Sequence, residues 1–250
     1  MRKKYDINYY DREKAISRNK YFNNAPIFYK KGVDTNKIFF DYILNEINVK
    51  ANNKLSILDL GTGTGYVPKT LCRICQKNFS ITGIDLSKDM IDAARRENAD
   101  KRIVYKIADN RKLPFRSESF DIITNKLSTQ FNIQEVNRVL KKDGIFIFKE
   151  YGPFKGFKEI KKMFGKKFRS GGKSTDKCVT ELYKLGFDEI IKHVFLIKRK
   201  YGPNEIKQIF SMANLIENFN EADLQKIKDK LLKNGKITVT SDPFIIFARK

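Results

Sequence analysis

The chain is poor in the residues that build metal centres and disulfide frameworks. It holds one histidine, His193, and three cysteines, Cys72, Cys75 and Cys178. Cys72 and Cys75 are spaced as a C-x-x-C pair, which suits redox chemistry or half of a zinc site. No second pair and no further histidine complete such a site, so they read as small apolar helix residues and no metal is expected. His193 falls in a predicted strand and reads as structural. Long apolar runs are also missing: none approaches the roughly eighteen residues needed to span a bilayer. Met1-Arg2-Lys3-Lys4 is followed by polar residues and not by a signal-peptide core, so a cytoplasmic protein without an integral membrane segment is expected. Acids are scarce, 29 against 51 Lys and Arg, giving a formal charge of +22. That balance admits nucleic acid, an anionic membrane or an acidic substrate as partner. Lysine outnumbers arginine by roughly three to one along the whole chain, which equally fits a compositional bias, because phosphate readers lean on the planar fork of arginine.

What the chain does have is organised around Ile57 to Gly65, ILDLGTGTG. Leu55, Ile57, Leu58 and Leu60 form a short apolar run suited to a strand buried on both faces of a parallel sheet. Gly61, Gly63 and Gly65 follow at every second position, where the missing Cβ lets the backbone turn tightly and lie against a ligand. Tyr66-Val67-Pro68 opens a helix, with Pro68 in the first turn, where an absent N–H costs nothing. A dinucleotide loop, G-x-G-x-x-G, would need its third glycine at position 66, which is Tyr66.

The run from Asp59 to Gly65, D-x-G-x-G-x-G, resembles the first motif of class I S-adenosylmethionine (SAM) dependent methyltransferases. Four further landmarks occur in that family's order. Ser80 to Asp85 is a second strand ending in an acid about twenty residues past the loop, and Asp85-Leu86-Ser87-Lys88-Asp89-Met90 is similar to the second motif. The resemblance implies that Asp85 accepts both ribose hydroxyls, while Leu86 and Met90 pack on the adenine. Ala108-Asp109-Asn110 with Leu113-Pro114-Phe115 resembles the adenine-reading turn, with Asp109 taking a hydrogen bond from the adenine amine. Phe120 to Asn125 and Val139 to Phe148 resemble the fourth and fifth strands. The implied cofactor is SAM, held by Asp59, Gly61, Gly63, Gly65, Asp85, Leu86, Met90, Asp109, Asn110 and Asn125. Together the landmarks cover about residues 55 to 150 and imply core motifs like those of ubiquinone and menaquinone methyltransferases.

The implied fold is α/β: a three-layer, Rossmann-like, seven-stranded and mostly parallel sheet with its last strand antiparallel. Residues 1–33 carry an aromatic series that includes Tyr5, Tyr9 and Tyr10, and read as short helices forming a lid over the cofactor mouth. Residues 34–250 form the catalytic-type domain, with 151–177 and 203–233 as insertions on the substrate side. Asp34-Thr35 caps a helix running to Val49, and Pro243 to Arg249 is a final strand. Between Lys155 and Lys177 there are nine Lys or Arg, with Phe154, Phe157, Phe164 and Phe168 interleaved. This suits unpaired bases, or else an amphipathic helix from 156 to 164 with Phe157, Ile160 and Phe164 inward.

A sulfonium methyl is already activated, so the protein needs mainly to align a nucleophile and exclude water. The candidate catalytic residues are Glu150 and Tyr151, at the end of the fifth strand, and Tyr10 in the lid. Asn125-Lys126-Leu127-Ser128 stands where base-modifying amino-methyltransferases carry N/D-P-P-Y/F, which disfavours that route. The expected activity is methyl transfer to a small-molecule acceptor. The alternatives are an RNA (tRNA or rRNA) methyltransferase using 154–173, and a non-catalytic SAM-binding partner subunit.

Overall fold

The computed structural model of the protein describes residues 28–29, 33–50, 54–98, 100–128, 131–169, 174–213 and 215–250, with residues 28–29 and 211–213 described by their backbone. The strands are β1 (Phe28–Tyr29), β2 (Leu55–Leu60), β3 (Phe79–Asp85), β4 (Ile103–Ile107), β5 (Phe120–Lys126), β6 (Leu140–Tyr151), β7 (Glu189–Tyr201), β8 (Leu232–Lys233), β9 (Lys236–Ser241) and β10 (Pro243–Arg249). The helices are α1 (Thr35–Val49), α2 (Tyr66–Ile74), α3 (Lys88–Arg96), α4 (Ile133–Val139), α5 (Lys158–Phe164), α6 (Thr175–Lys184), α7 (Pro203–Ala213) and α8 (Glu221–Leu231).

Seven strands form the central sheet in the order β4-β3-β2-β5-β6-β10-β7. From β4 to β6 all neighbours are parallel, and β10 runs antiparallel to both β6 and β7. The expected seven-stranded, mostly parallel arrangement is therefore present. Alternate residues of each strand point to opposite faces, which divides the core. Ile57, Ile81, Ile122, Ile145 and Ile245 face α1, α2 and α3, where Phe39, Ile43, Leu71 and Ile91 cover them. Leu58, Leu60, Ile84, Ile123 and Phe146 face α4 and α6, whose Val136, Val139, Val179 and Leu182 complete the other layer. α1 begins where Asp34 Oδ1 accepts the N–H groups of Asn36 at 2.8 Å and Lys37 at 3.1 Å, the expected cap.

Three features depart from the expectation or extend it. The described part of the 1–33 segment is a strand, with β1 pairing in parallel with Phe195 and Leu196 of β7, and the remainder of the expected helical lid lies outside the described residues. Lys236–Ser241 was not expected as a strand. β9 and β10 pair with β7 in one unbroken register, Ser241 opposite Ile197 and Phe244 opposite Val194, so that residues 236–249 act as one long strand interrupted at Asp242. Asn234 and Gly235, at φ 50° and 70°, make the two-residue turn between β8 and β9.

The two expected insertions pack on each other. Phe157, Ile160, Phe164 and Phe168 meet Ile206, Phe210, Leu224 and Ile227 over Ile237 and Val239, forming a third apolar core beside the main sheet. Glu159 ties α5 to β9 by accepting the Thr240 N–H and hydroxyl, each at 2.6 Å. Residues 158–164 are thus the amphipathic helix, and of the rings offered for base stacking Phe157, Phe164 and Phe168 are buried, while Phe154 is partly exposed with the Lys158 and Lys161 ammonium groups 5.4 and 5.9 Å from its centre. Cys72 and Cys75 are buried free thiols whose carbonyls accept the Arg102 guanidinium at 2.7 and 2.8 Å. No group of metal-ligating side chains occurs among the described residues, and no helix among them is long and apolar enough to cross a membrane.

Candidate cofactor site

Every parallel strand ends its carboxyl terminus on one edge of the sheet, and the order reverses beside β2, which opens a crevice there. The glycine loop sits in it. Gly61, Gly63 and Gly65 have φ of +64°, +54° and +83°, the left-handed region that an L side chain enters only under strain. The glycines also make room. A Cβ on Gly61 would lie 2.1 Å from Ser128 Oγ, and one on Gly65 2.1 Å from the Tyr105 hydroxyl. Among the described residues a Cβ on Gly63 would meet nothing within 4 Å, so this glycine faces the crevice.

Asp85, at the end of β3, links the loop to its neighbour. Its Oδ2 accepts the Gly63 N–H and its Oδ1 the Ser87 N–H, both at 2.9 Å. Each carboxylate oxygen keeps a second lone pair for an outside donor. Next to it Leu86 and Met90 are 64% and 45% exposed, unusual for apolar side chains and suited to a flat apolar ligand surface. Asp109, after β4, is half-exposed and paired with Arg111 at 2.7 Å, whose hydrogen bonds hold its carboxyl below the ordinary range.

Two buried asparagines line the loop from the other side. Asn110 Nδ2 donates to Ser128 Oγ at 3.1 Å and Asn125 Nδ2 to the Leu60 carbonyl at 3.5 Å, while the Oδ1 of each is buried and without a partner among the described residues. Buried acceptors of this kind are costly unless something supplies a donor. Asp59 differs from the other candidates. It is 1% exposed, beneath the loop, with Oδ1 accepting the Thr124 hydroxyl at 2.7 Å, and burial pushes its carboxyl up to about 6. Its reach is to the loop's underside.

Glu150 lies on the sheet face of Phe146 and Phe148, with Oε1 accepting the Tyr151 N–H at 2.8 Å. Tyr151 packs beside Gly156. Tyr10 lies outside the described residues. His193, half-buried on β7, meets the Tyr42 hydroxyl at 2.5 Å, and loss of solvent around the ring lowers its pKa to about 4.

Sequence reasoning missed Tyr105, whose ring fills the space under Gly65 and Gly83 and whose hydroxyl is buried and pushed up by burial. Its signal was Gly83, a glycine inside a strand, which marks a close approach. It also missed Lys126, whose ammonium lies 4.5 Å from the centre of the Tyr66 ring, and Lys149, buried in β6.

A parallel sheet with this strand order, a glycine loop after its central strand and an acid at the end of the next is the Rossmann-like α/β fold that the resemblance to SAM-dependent methyltransferases implies. Residues 58–148 match the family model described as a methyltransferase domain. Among curated proteins, the malonyl-[acyl-carrier protein] O-methyltransferase of Priestia megaterium is 30% identical over 139 residues, covering 53% of this chain and 50% of that protein. The demethylmenaquinone methyltransferase of Porphyromonas gingivalis is 35% identical over 95 residues, 34% of this chain and 39% of that one. The chain thus spans half or less of the length of these relatives. Among solved structures, the YcgJ protein of Bacillus subtilis superposes with a TM-score of 0.56 at 19% identity, over 83% of this chain and 98% of that one.

Proposed function

We propose that the protein is an enzyme that transfers a methyl group from SAM to a small-molecule acceptor. The observation that carries this reading is the bond from the Gly63 N–H to Asp85, which sets a ligand-facing glycine loop against a carboxylate with free lone pairs, inside the matched methyltransferase domain. When bound, SAM supplies a methyl on a positively charged sulfur. The chain's own residues then bind and orient. Asp85 accepts the ribose hydroxyls, and Leu86 and Met90 cover the adenine. Asp109 and Asn110 read the adenine edge, and Gly61, Gly63 and Gly65 let the backbone approach. Asn125 supplies an acceptor at the end of β5. Asp59 supports the loop from below. The acceptor lies over the ends of β5 and β6, where Glu150 and Tyr151 are the candidate proton-handling groups, with residues 1–33 as the lid, Tyr10 among them. The domain is 34–250, and its third apolar core forms a substrate-side wall. A cytoplasmic location accords with the buried thiols of Cys72 and Cys75, which form no disulfide.

The test is to incubate the protein with methyl-labelled SAM and either an acid-soluble metabolite extract or bulk tRNA and rRNA. Label in a small molecule is the expected result. Label in RNA would instead support the RNA reading, and SAM binding without label in any pool would support the partner-subunit reading.

A further inference from the structure

Beyond the cofactor crevice, three cations share one end of the sheet on the face covered by α1. Lys126 closes β5 and pairs in register with Lys149 of β6, so the two side chains leave neighbouring positions on one face and their charges repel. Both follow the alternation of Ile122 and Ile145 toward that face, and Arg199 follows Phe195 and Ile197 on β7. Lys149 is only 4% exposed, and its Nζ reaches Asn36 Oδ1 at 2.5 Å, a neutral partner. Arg199 Nε is buried and has no hydrogen-bond partner among the described residues. Among the described residues none of the three forms an ion pair.

The groups facing them do not balance this charge. Asp34, exposed and engaged at the start of α1, attracts Lys149, and Asp59, under the loop and bonded to Thr124, attracts Lys126, so two carboxylates face three cations. Tyr66 offers its ring to Lys126. His193, in the same cross-strand row as Lys149 and Ile245, is hydrogen-bonded to Tyr42 and neutral at physiological pH. Burial, with repulsion from Lys126 and Arg199, lowers Lys149 to about 7. Like charges around a buried ammonium that the nearby carboxylates do not fully offset are unfavourable, and a bound anion relieves them.

We infer that Lys126, Lys149 and Arg199, with Asn36, form the subsite for an oxyanion, a carboxylate or phosphate, of the methyl acceptor, so that the acceptor is an acidic small molecule. This rests on the methyl-transfer reading for the identity of the ligand, and the site itself stands on the residues above. The subsite belongs to the acceptor and not to the cofactor because Lys149 and Arg199 stand on the far side of β5 from Asp85.

The experiment is calorimetric titration of inorganic phosphate and of malonate into the full chain, alone and saturated with S-adenosylhomocysteine. The wild type should bind one or both, with proton uptake near pH 7.5, detected as a heat that changes between buffers of different ionisation enthalpy. Lys149→Met and Arg199→Met should each weaken the anion tenfold or more, while affinity for S-adenosylhomocysteine changes by less than about twofold. Lys149→Arg, which keeps the charge, should restore most of the anion affinity and reports on a variant that fails to fold. Absence of anion binding by the wild type, or equal binding by the methionine variants, overturns the subsite. Loss of S-adenosylhomocysteine in parallel with the anion overturns its assignment to the acceptor. If the wild type does not bind S-adenosylhomocysteine, the methyl-transfer reading fails, and the titration of the protein alone still decides the subsite.

Discussion

Replacing Asp59 by asparagine should stabilise the protein at neutral pH and leave its stability at pH 4 almost unchanged. The carboxyl is enclosed beneath the glycine loop, and burial raises its pKa from 3.8 to about 6 against the opposing hydroxyls of Thr124 and Thr62. Between those two pH values the folded protein keeps a proton that the unfolded chain has lost. Stability from this group is therefore complete below pH 3.8 and falls as pH rises through 6. At about 1.4 kcal/mol per pH unit, the ionised carboxylate costs the fold up to about 3 kcal/mol above pH 7. Asparagine carries no charge to desolvate and retains an oxygen to accept the Thr124 hydroxyl. Urea unfolding of both proteins from pH 4 to 8 isolates this group, because every other titration cancels in the difference. The difference should grow from near zero at pH 4 to a plateau of up to about 3 kcal/mol above pH 7, or several degrees in Tm for a chain of this length. An asparagine variant that is less stable at pH 7.5, or a difference independent of pH, would refute the reasoning and show that the charge itself holds the loop.

Glycines 61 and 63 should fail in different ways. Gly61→Ala puts a Cβ 2.1 Å from Ser128 Oγ at a φ of +64°, so both Tm and cofactor affinity should fall. Gly63→Ala meets no atom of the described residues, so thermal unfolding should show only the left-handed strain of about 1 kcal/mol, while affinity for SAM drops more steeply because the new methyl enters the ligand's space. Arg249→Met should cost about 3–5 kcal/mol, since it leaves Glu46, 2% exposed, as a buried charge with only Lys50 beside it. The double variant with Glu46→Leu should recover most of that loss in urea unfolding. Burial alone would raise the Glu46 pKa, but Arg249 and Lys50 together lower it. Its contribution is therefore present above its unfolded value of about 4.5 and lost as pH falls through the lower folded value.

Local features were legible in the sequence wherever a short stretch determines its own conformation. The alternate glycines, the Asp34 cap, the acid ending β3 and the helical spacing of Ile160 and Phe164 all act within a few residues of themselves. The rest depends on what lies across the sheet. Lys149 reads as one more lysine among many, and only its register against Lys126 and Ile245 buries it in a row of strand ends. The long partner strand of β7 was hidden because Asp242 interrupts it, where its side chain accepts the N–H groups of Phe154 and Gly156, both at 2.7 Å, and so anchors the loop after β6. The Asn234-Gly235 turn was a readable hairpin signal that Lys236–Ser241 should have been matched to. Among the cofactor candidates, Asp59 shows the limit of a motif, since its spacing places it near the ligand loop and only burial shows that it faces the underside.

The most direct test of the account is calorimetric titration of SAM and S-adenosylhomocysteine into the wild type and Asp85→Ala. The wild type should bind both in the micromolar range. Loss of two charge-assisted hydrogen bonds to the ribose should weaken the variant by about 3 kcal/mol or more, at least a hundredfold. Failure of the folded wild type to bind either ligand, or undiminished binding by Asp85→Ala, would contradict the account.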